Sequence, residues 1–170
     1  IAENTGKKKM LMQDAIKVRR IPTSHYLRVG KTPPRMIQLK YKFYEKTIYA
    51  LLKKTIGIEN GNFFPTAGAA VPDEICEFVH SVGIDMLVGY GLTESTATVS
   101  CTSKTGYDIG SVGQVMPEVE VKIGEDNEIL LRGKTITKGY YKKAEATAAA
   151  IDEKGGLNTG DAGYLKNGRW

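Results

Sequence analysis

Cysteine, histidine and long apolar runs are all scarce in this chain, and each scarcity removes a class of answers. Cys76 and Cys101 are the only cysteines among 170 residues. Two widely separated thiols build neither a disulfide framework nor a zinc cluster, and they suit a reducing compartment. His25 and His80 are the only histidines and have no metal-ligand pattern around them, so each is expected to be structural or solvated. No apolar stretch approaches the roughly 18 residues that a spanning helix needs. The opening IAENTGKKKM has a basic run but no apolar core behind it, which speaks against a secretory signal and makes a cytoplasmic protein the expectation. Two familiar catalytic loops are missing as well. The GKT tripeptides at 30–32 and 133–135 carry His25 and Glu128 where a Walker loop needs glycine, and no Gly-x-Ser-x-Gly elbow occurs.

What is present suffices for one globular core: 41% of the residues are hydrophobic, at the length of one ordinary domain. Charge is unevenly spread. Residues 1–60 hold 14 Lys or Arg against 4 Asp or Glu, whereas residues 61–170 hold 10 against 15. A basic front of this kind meets nucleic acid, an anionic membrane surface or a phosphorylated cofactor, or is simply a solvated helix face. In KYKFYEKTIYALLKKTIG, Phe43, Thr47, Ala50 and Leu51 recur at helical spacing between the charges, so this face and its aromatics are expected to pack inward. Nucleic-acid binding would need those rings exposed, and is not expected.

Residues 1–35 are weakly periodic, and GKTPPR at 30–35 breaks any helix there. Residues 36–56 read as one amphipathic helix. A short strand in FFPT follows, then a helix over 71–82 with Pro72 near its start and Asp73 and Glu74 in its first turn, ended by Gly83. The run IDMLV then reads as a second strand, and the strand–helix–strand unit predicts a parallel crossover with both strands fully buried. From about residue 106 the pattern shifts to alternating short strands. Val119, Val121 and Ile123, then Ile129 and Leu131, predict an antiparallel hairpin across GEDN. A short helix at 144–151, a closing strand and a turn at KNG complete the pattern. The final DAGYLKNGRW reads as an unfinished hairpin, so the sequence is expected to be a fragment.

Ligands of parallel sheets sit beyond the carboxyl ends of the strands, which places TAGAA and GYGLTE at one rim. Gly89 and Gly91 remove side chains on both sides of Tyr90, so the backbone can turn sharply and a planar ligand can approach the ring. Thr93 offers a hydroxyl to an anion, and Glu94 a carboxylate to a hard cation bridging phosphates. The competing reading is a strand-to-helix turn with Thr93 as cap and Glu94 in the first turn. Asp161 in NTGD could accept both hydroxyls of a ribose, or close a plain turn.

Taken in order, TAGAAVP, GYGLTE, GSVGQVMPEVEVKI, EILLRGKTITKGYYKKAEAT and NTGDAGYL closely resemble the adenylate-forming, AMP-binding superfamily. GYGLTEST and the basic stretch before FFPTAGAA are most similar to its long-chain fatty acid–CoA ligase branch. The resemblance implies two steps: a carboxylate attacks the α-phosphate of ATP, then a thiol, usually coenzyme A, displaces AMP. It implies Gly68, Ala69 and Ala70 against adenine, Tyr90 on its face between Gly89 and Gly91, Thr93 at the phosphate, Glu94 on Mg²⁺ and Asp161 on the ribose. Thr93 and Glu94 are thereby the implied catalytic pair. The family's upstream phosphate loop and its C-terminal domain with the adenylating lysine are not in this sequence. Gly156 and Leu157 stand where the family usually has an aromatic pair, and Ala67 where a second glycine is common.

The expected fold is α/β: part of a parallel-containing sheet with flanking helices, followed by a small antiparallel β-barrel-like subdomain. Its expected organisation is a basic helical segment at 1–60, a nucleotide-crevice segment at 61–105 and a β subdomain at 106–170. The expected function is that of an acyl-CoA synthetase fragment, inactive alone, acting on a fatty acid, ATP and coenzyme A with Mg²⁺. For peripheral contact at the inner membrane face, the helix at 36–56 is the place to look. The alternatives are an amino-acid or aryl-acid adenylation domain loading a carrier-protein thiol, and a non-catalytic module binding adenine nucleotide or a membrane surface.

Overall fold

A computed structural model of the chain describes residues 6–22, 26, 28–61 and 63–165. His25, the KNG turn and both chain ends lie outside these. In order come α1 (Lys7–Pro22), α2 (Arg35–Tyr44), a π turn (Glu45–Tyr49) running into α3 (Ala50–Thr55), β1 (Phe64–Thr66), α4 (Asp73–Ser81), β2 (Met86–Tyr90), β3 (Ser100–Cys101), β4 (Gln114–Val115), β5 (Val119–Ile123), β6 (Glu128–Gly133), α5 (Ala144–Ala150) and β7 (Leu157–Ala162). The fold is mixed α/β with a parallel-containing sheet and flanking helices, as expected. One sheet has the order β1–β2–β3–β4, the other β5–β6–β7. The chain divides into two compact units: residues up to Thr66 with Val71–Leu87 and Ser103–Gly110, and Ala67–Ala70 with Val88–Thr102 and the chain from Ser111.

The first unit is built on tyrosines. Ala15 and Val18 of α1 pack with Tyr44 and Tyr49, and Tyr41 and Ile48 lie against them. Tyr49 donates to the Ala15 carbonyl at 2.6 Å and Tyr44 to Asp14 Oδ2 at 2.5 Å, so each buried phenol has its partner. The helix expected at 36–56 is continuous, but its buried face differs from the expectation. Phe43 (59% exposed), Leu51 (64% exposed), Thr47 and Ala50 face outward. The π turn is the reason: its wider i→i+5 repeat brings Tyr44 and Tyr49 onto one face, with ring centroids 6.5 Å apart, where an unbroken α-helix would splay them.

Arg19, only 3% exposed, ties this unit together. Its Nη2 meets Asp85 Oδ1 at 2.7 Å, Nε donates to the His80 carbonyl at 3.2 Å, and Nη1 donates to the Tyr41 hydroxyl. A guanidinium this buried is tolerable only because its donors are engaged. His80, expected to be structural or solvated, is buried and stacks on Tyr107 at 4.8 Å. Pro72 occupies the N-cap position of α4, and Gly83, at φ +85, follows its C-cap, Val82. A Cβ on Gly83 would come within 2.9 Å of Tyr49 Cβ, so the position requires glycine on both counts. The Ile84 N–H bonds back to the Val79 carbonyl at 3.2 Å, so Ile84 belongs to the helix exit and β2 starts at Met86. The expected full burial of both strands is not found: every residue of β2 is half-buried, and Pro65 of β1 is exposed. Two-sided burial needs helices on both faces, and the crossover supplies only α4.

In the second unit β2, β3 and β4 pair antiparallel, with Tyr90 opposite Ser100 and Ser100 opposite Val115. The GEDN hairpin forms as expected, with Val119 opposite Gly133 and Ile123 opposite Ile129. Sheet β5–β6–β7 is the form that the β subdomain takes. Val99, Val119, Ile129, Leu131 and Leu157 make its core, and the alternation read from the sequence is the alternation of burial. Leu157 is buried in that core. Gly156 lies so close to Asp152 that a Cβ would sit 2.6 Å from Oδ2.

Candidate functional site

The GYGLTE segment leaves β2 and folds back at once. The Val99 N–H donates to the Tyr90 carbonyl at 2.8 Å, closing a loop of eight residues. Gly91 makes this possible, because a Cβ there would stand 1.7 Å from the Ala97 carbonyl oxygen. A Cβ on Gly89 would meet the Ser100 carbonyl at 3.2 Å. The demand for glycine at 91 thus comes from the protein's own backbone, a reason the sequence did not reveal, and at 89 the same backbone leaves only a tight fit. Within the loop, Thr93–Ser95 forms one 3₁₀ turn. Fully buried Ser95 holds it, its Oγ accepting from the Leu92 N–H at 3.0 Å and donating to the Leu92 carbonyl at 3.0 Å. The capping role weighed for Thr93 therefore belongs to Ser95, and Thr93 is left exposed. Thr96 and Ala97 follow with φ of 56° and 76°, a left-handed pair without glycine. Such strain persists only where the surroundings enforce it.

Asp161 reaches the same place from β7. The Tyr90 hydroxyl donates to Asp161 Oδ2 at 2.7 Å. The hydroxyl of Thr159 donates to the Ile129 carbonyl at 2.7 Å and accepts from the Asp161 N–H at 3.1 Å. Glu128 Oε1 accepts from the Gly160 N–H at 2.9 Å, so the turn bearing Asp161 is held from both sides. Burial and the bond to Asp161 push the Tyr90 phenol well above its ordinary pKa, which keeps it a neutral donor. Asp161 itself is exposed, with its carboxylate open to solvent beside the ring.

Glu94 is half-buried, and its Oε1 accepts from the Tyr140 hydroxyl at 2.7 Å. That bond, with a smaller contribution from its own N–H, holds the carboxyl below its usual range. The loop of Gly68, Ala69 and Ala70 is exposed and falls in the same unit as Tyr90, Thr93, Glu94 and Asp161. Gly68 has φ +92, and a Cβ there would meet nothing within 4 Å. Of the expected site residues, Tyr90 and Asp161 are therefore in direct contact, and Thr93 and Glu94 share the turn that follows Tyr90. Tyr140 is a site residue that the sequence does not reveal: it lies within the block EILLRGKTITKGYYKKAEAT, where no local pattern singles out a tyrosine.

Among the described residues no group of three or more His, Cys, Asp or Glu could hold a metal ion. The turn that follows Tyr90 offers the Glu94 carboxylate and the Thr93 hydroxyl as oxygen donors. One carboxylate fits Mg²⁺, which keeps several waters and draws its other ligands from substrate phosphates. A separate cleft of about 610 Å³ lies along β5, β6 and the 152–158 segment, lined by Glu120, Lys122, Arg132, Asp152, Lys154 and Asn158 among others. None of the expected site residues lines it.

Residues 10–141 match the family model described as AMP-binding enzyme. The chain belongs to that family. It is 32% identical over 132 residues to the chloroplastic long-chain-fatty-acid–acyl-carrier-protein ligase AEE15 of Arabidopsis thaliana, an alignment covering 71% of this chain and 18% of the relative. It is 28% identical over 133 residues to the long-chain-fatty-acid–CoA ligase FadD15 of Mycobacterium tuberculosis, covering 78% of this chain and 22% of the relative. Among solved structures, o-succinylbenzoate CoA synthetase (MenE) from Bacillus subtilis, in complex with the acyl-adenylate intermediate OSB-AMP, is 26% identical with a TM-score of 0.57. That match covers 72% of this chain and 36% of the other. The chain spans about a fifth to a quarter of the length of the curated relatives it matches, from 18% to 26%. The family implied by the ordered blocks is thus established, and the named relatives are acid–thiol ligases.

Proposed function

We propose that this chain forms the adenosine-facing part of an ATP-dependent acid–thiol ligase, a long-chain fatty acid being the acid activated and coenzyme A the acceptor. The observation that carries the reading is the 2.7 Å bond from Tyr90 to Asp161. It sets an aromatic face and a carboxylate side by side, the pair of groups that a nucleoside offers partners for. The ring suits the base by stacking, and the carboxylate suits two ribose hydroxyls.

The reaction so proposed begins when a carboxylate oxygen of the acid attacks the α-phosphorus of ATP. The bond to pyrophosphate breaks and a mixed anhydride with AMP forms. A thiol then attacks the acyl carbon and AMP leaves. Activation is needed because a carboxylate is a poor electrophile, whereas AMP is a competent leaving group. In this scheme Tyr90 and Asp161 orient the adenosine, Thr93 donates to a phosphate oxygen, and Gly68, Ala69 and Ala70 lie along the base. Glu94 would hold Mg²⁺, whose charge, when bound, eases approach of one anion to another.

The relatives' names support the fatty-acid assignment, and the carrier-protein ligase among them supports a second acceptor, a carrier-protein thiol. Localisation is part of the same proposal: cytoplasmic, with α2 at an inner membrane face. Met36, Leu39 and Phe43 are exposed there between Lys40, Lys42 and Lys46. No described helix is long and apolar enough to cross a membrane. The test is acid-dependent pyrophosphate release by the complete protein across carboxylic acids of graded chain length. Turnover confined to aryl or amino acids would reject the fatty-acid assignment, and no turnover with any acid would reject the ligase.

A further inference from the structure

Residues 135–140 clasp the strained turn of the site through three hydrogen bonds. Thr96 Oγ1 donates to the Thr135 carbonyl at 2.7 Å, the Thr137 N–H donates to the Glu94 carbonyl at 2.7 Å, and the Tyr140 hydroxyl donates to Glu94 Oε1 at 2.7 Å. The clasp is anchored from behind by α5. Thr147 Oγ1 accepts from the Tyr140 N–H at 2.9 Å and donates to the Lys143 carbonyl at 2.8 Å. Gly139 passes so close to α5 that a Cβ would sit 2.4 Å from Thr147 Cγ2. Glu94 is thus gripped at its backbone and at its side chain by one segment. That segment lies 46 residues away at the tyrosine.

We propose that Tyr140 is a positioning residue for a divalent-cation site at Glu94: its hydroxyl fixes Oε1 and leaves the other oxygen of the carboxylate for the cation. The inference rests on the nucleotide reading given under Proposed function.

The chemistry of the donor favours this role over a plain surface contact. A free glutamate side chain turns about three torsions, and a cation that must order it loses affinity by that entropy. A lysine or arginine could restrain it too, but its positive charge would repel the cation. A phenol restrains the carboxylate and stays neutral. Groups that orient metal ligands in this way are worth roughly 10–100-fold in metal affinity. The adjacent Tyr141, 86% exposed and with Lys142 Nζ 5.3 Å from its ring centroid, makes no such bond and serves as the internal control.

The test measures Mn²⁺ binding to the complete protein saturated with ATP, by loss of the free-ion electron paramagnetic resonance signal, with thermal melting recorded alongside. Glu94→Gln and Tyr140→Phe are expected to weaken Mn²⁺ binding, Tyr140→Phe by about 10-fold, and Tyr141→Phe to leave it unchanged. A purely structural Tyr140 would lower the melting temperature without changing Mn²⁺ affinity. If Glu94→Gln weakens binding and a folded Tyr140→Phe does not, the role given to Tyr140 is wrong and the nucleotide reading stands. If the wild-type complex takes Mn²⁺ no more tightly than ATP alone, or Glu94→Gln has no effect, the cation site itself is wrong and Tyr140 has nothing to position.

Discussion

Tyr90 and Asp161, 71 residues apart in sequence, meet at 2.7 Å through a phenol and a carboxylate. The bond gives the two halves of Tyr90 separable jobs: the hydroxyl fixes Asp161, and the ring offers a face. Tyr90→Phe removes only the first. It is expected to lower kcat/KM for ATP about 10-fold in the complete protein, the value of one hydrogen bond to a charged group. Tyr90→Ala removes both and is expected to cost about 100-fold, since base stacking adds roughly 1–3 kcal/mol. Equal losses for the two variants would mean that the ring carries no adenine.

Arg19 supports a second prediction, on stability alone. Its side chain is 4% exposed while that of its partner Asp85 is 35% exposed, so solvent screens one end of the pair. Removing one partner of a buried pair costs about 3–5 kcal/mol, and screening at Asp85 places Arg19→Met near the lower figure. Arg19→Lys should recover little, because an ammonium cannot reach Asp85, the His80 carbonyl and Tyr41 as the guanidinium fork does. Urea unfolding of the three proteins decides it; a lysine variant as stable as wild type would show that charge alone matters.

The parts legible in the sequence were those with a period or a punctuation mark. Val119, Val121 and Ile123 announced a half-buried strand, Pro72 and Gly83 bracketed α4, and the ordered blocks named the family. The two-residue strand β3 has no period to read and was missed, and β4 was not separated from β5 within the short strands expected from about residue 106. The buried face of the 35–55 helix was misplaced because the π turn resets the phase by one residue, so Tyr44 and Tyr49 went in where Phe43, Thr47, Ala50 and Leu51 were expected. At the site, glycine was legible at 89 and 91 but its reason was not. The Ala97 carbonyl that forbids a Cβ on Gly91 lies in a left-handed turn that Thr96 and Ala97 do not advertise. Long-range hydroxyl contacts such as Tyr140 to Glu94 leave no local pattern at all.

Those backbone approaches grade the two glycines. A Cβ on Gly91 would collide with a carbonyl oxygen at 1.7 Å, and one on Gly89 would press on another at 3.2 Å. Gly91→Ala is expected to destabilise by about 3 kcal/mol and Gly89→Ala by about 1 kcal/mol, the range of overpacking in a close-packed interior. Thermal melting gives the order. If both variants melted like wild type but lost ATP use, the glycines would be serving a ligand and not the fold.

His80 supplies the pH dependence. Burial, the largest cause, lowers its pKa below the ordinary 6.5, with the Arg19 charge adding to the effect and Asp85 opposing it. The folded state therefore prefers the neutral ring, and the unfolded chain binds the proton more readily in the window just below pH 6.5. The stability that His80 contributes is complete above that value and is lost as pH falls from 6.5 towards the depressed folded pKa, below which the loss stops growing. The ring stacks on Tyr107, so His80→Phe keeps an aromatic surface while removing the titration. The difference in unfolding free energy between wild type and His80→Phe should accordingly be flat from pH 7 to 8 and shift against wild type between pH 6.5 and 5. A difference that stays constant down to pH 5 would show that the ring is as easily protonated in the fold as in the unfolded chain.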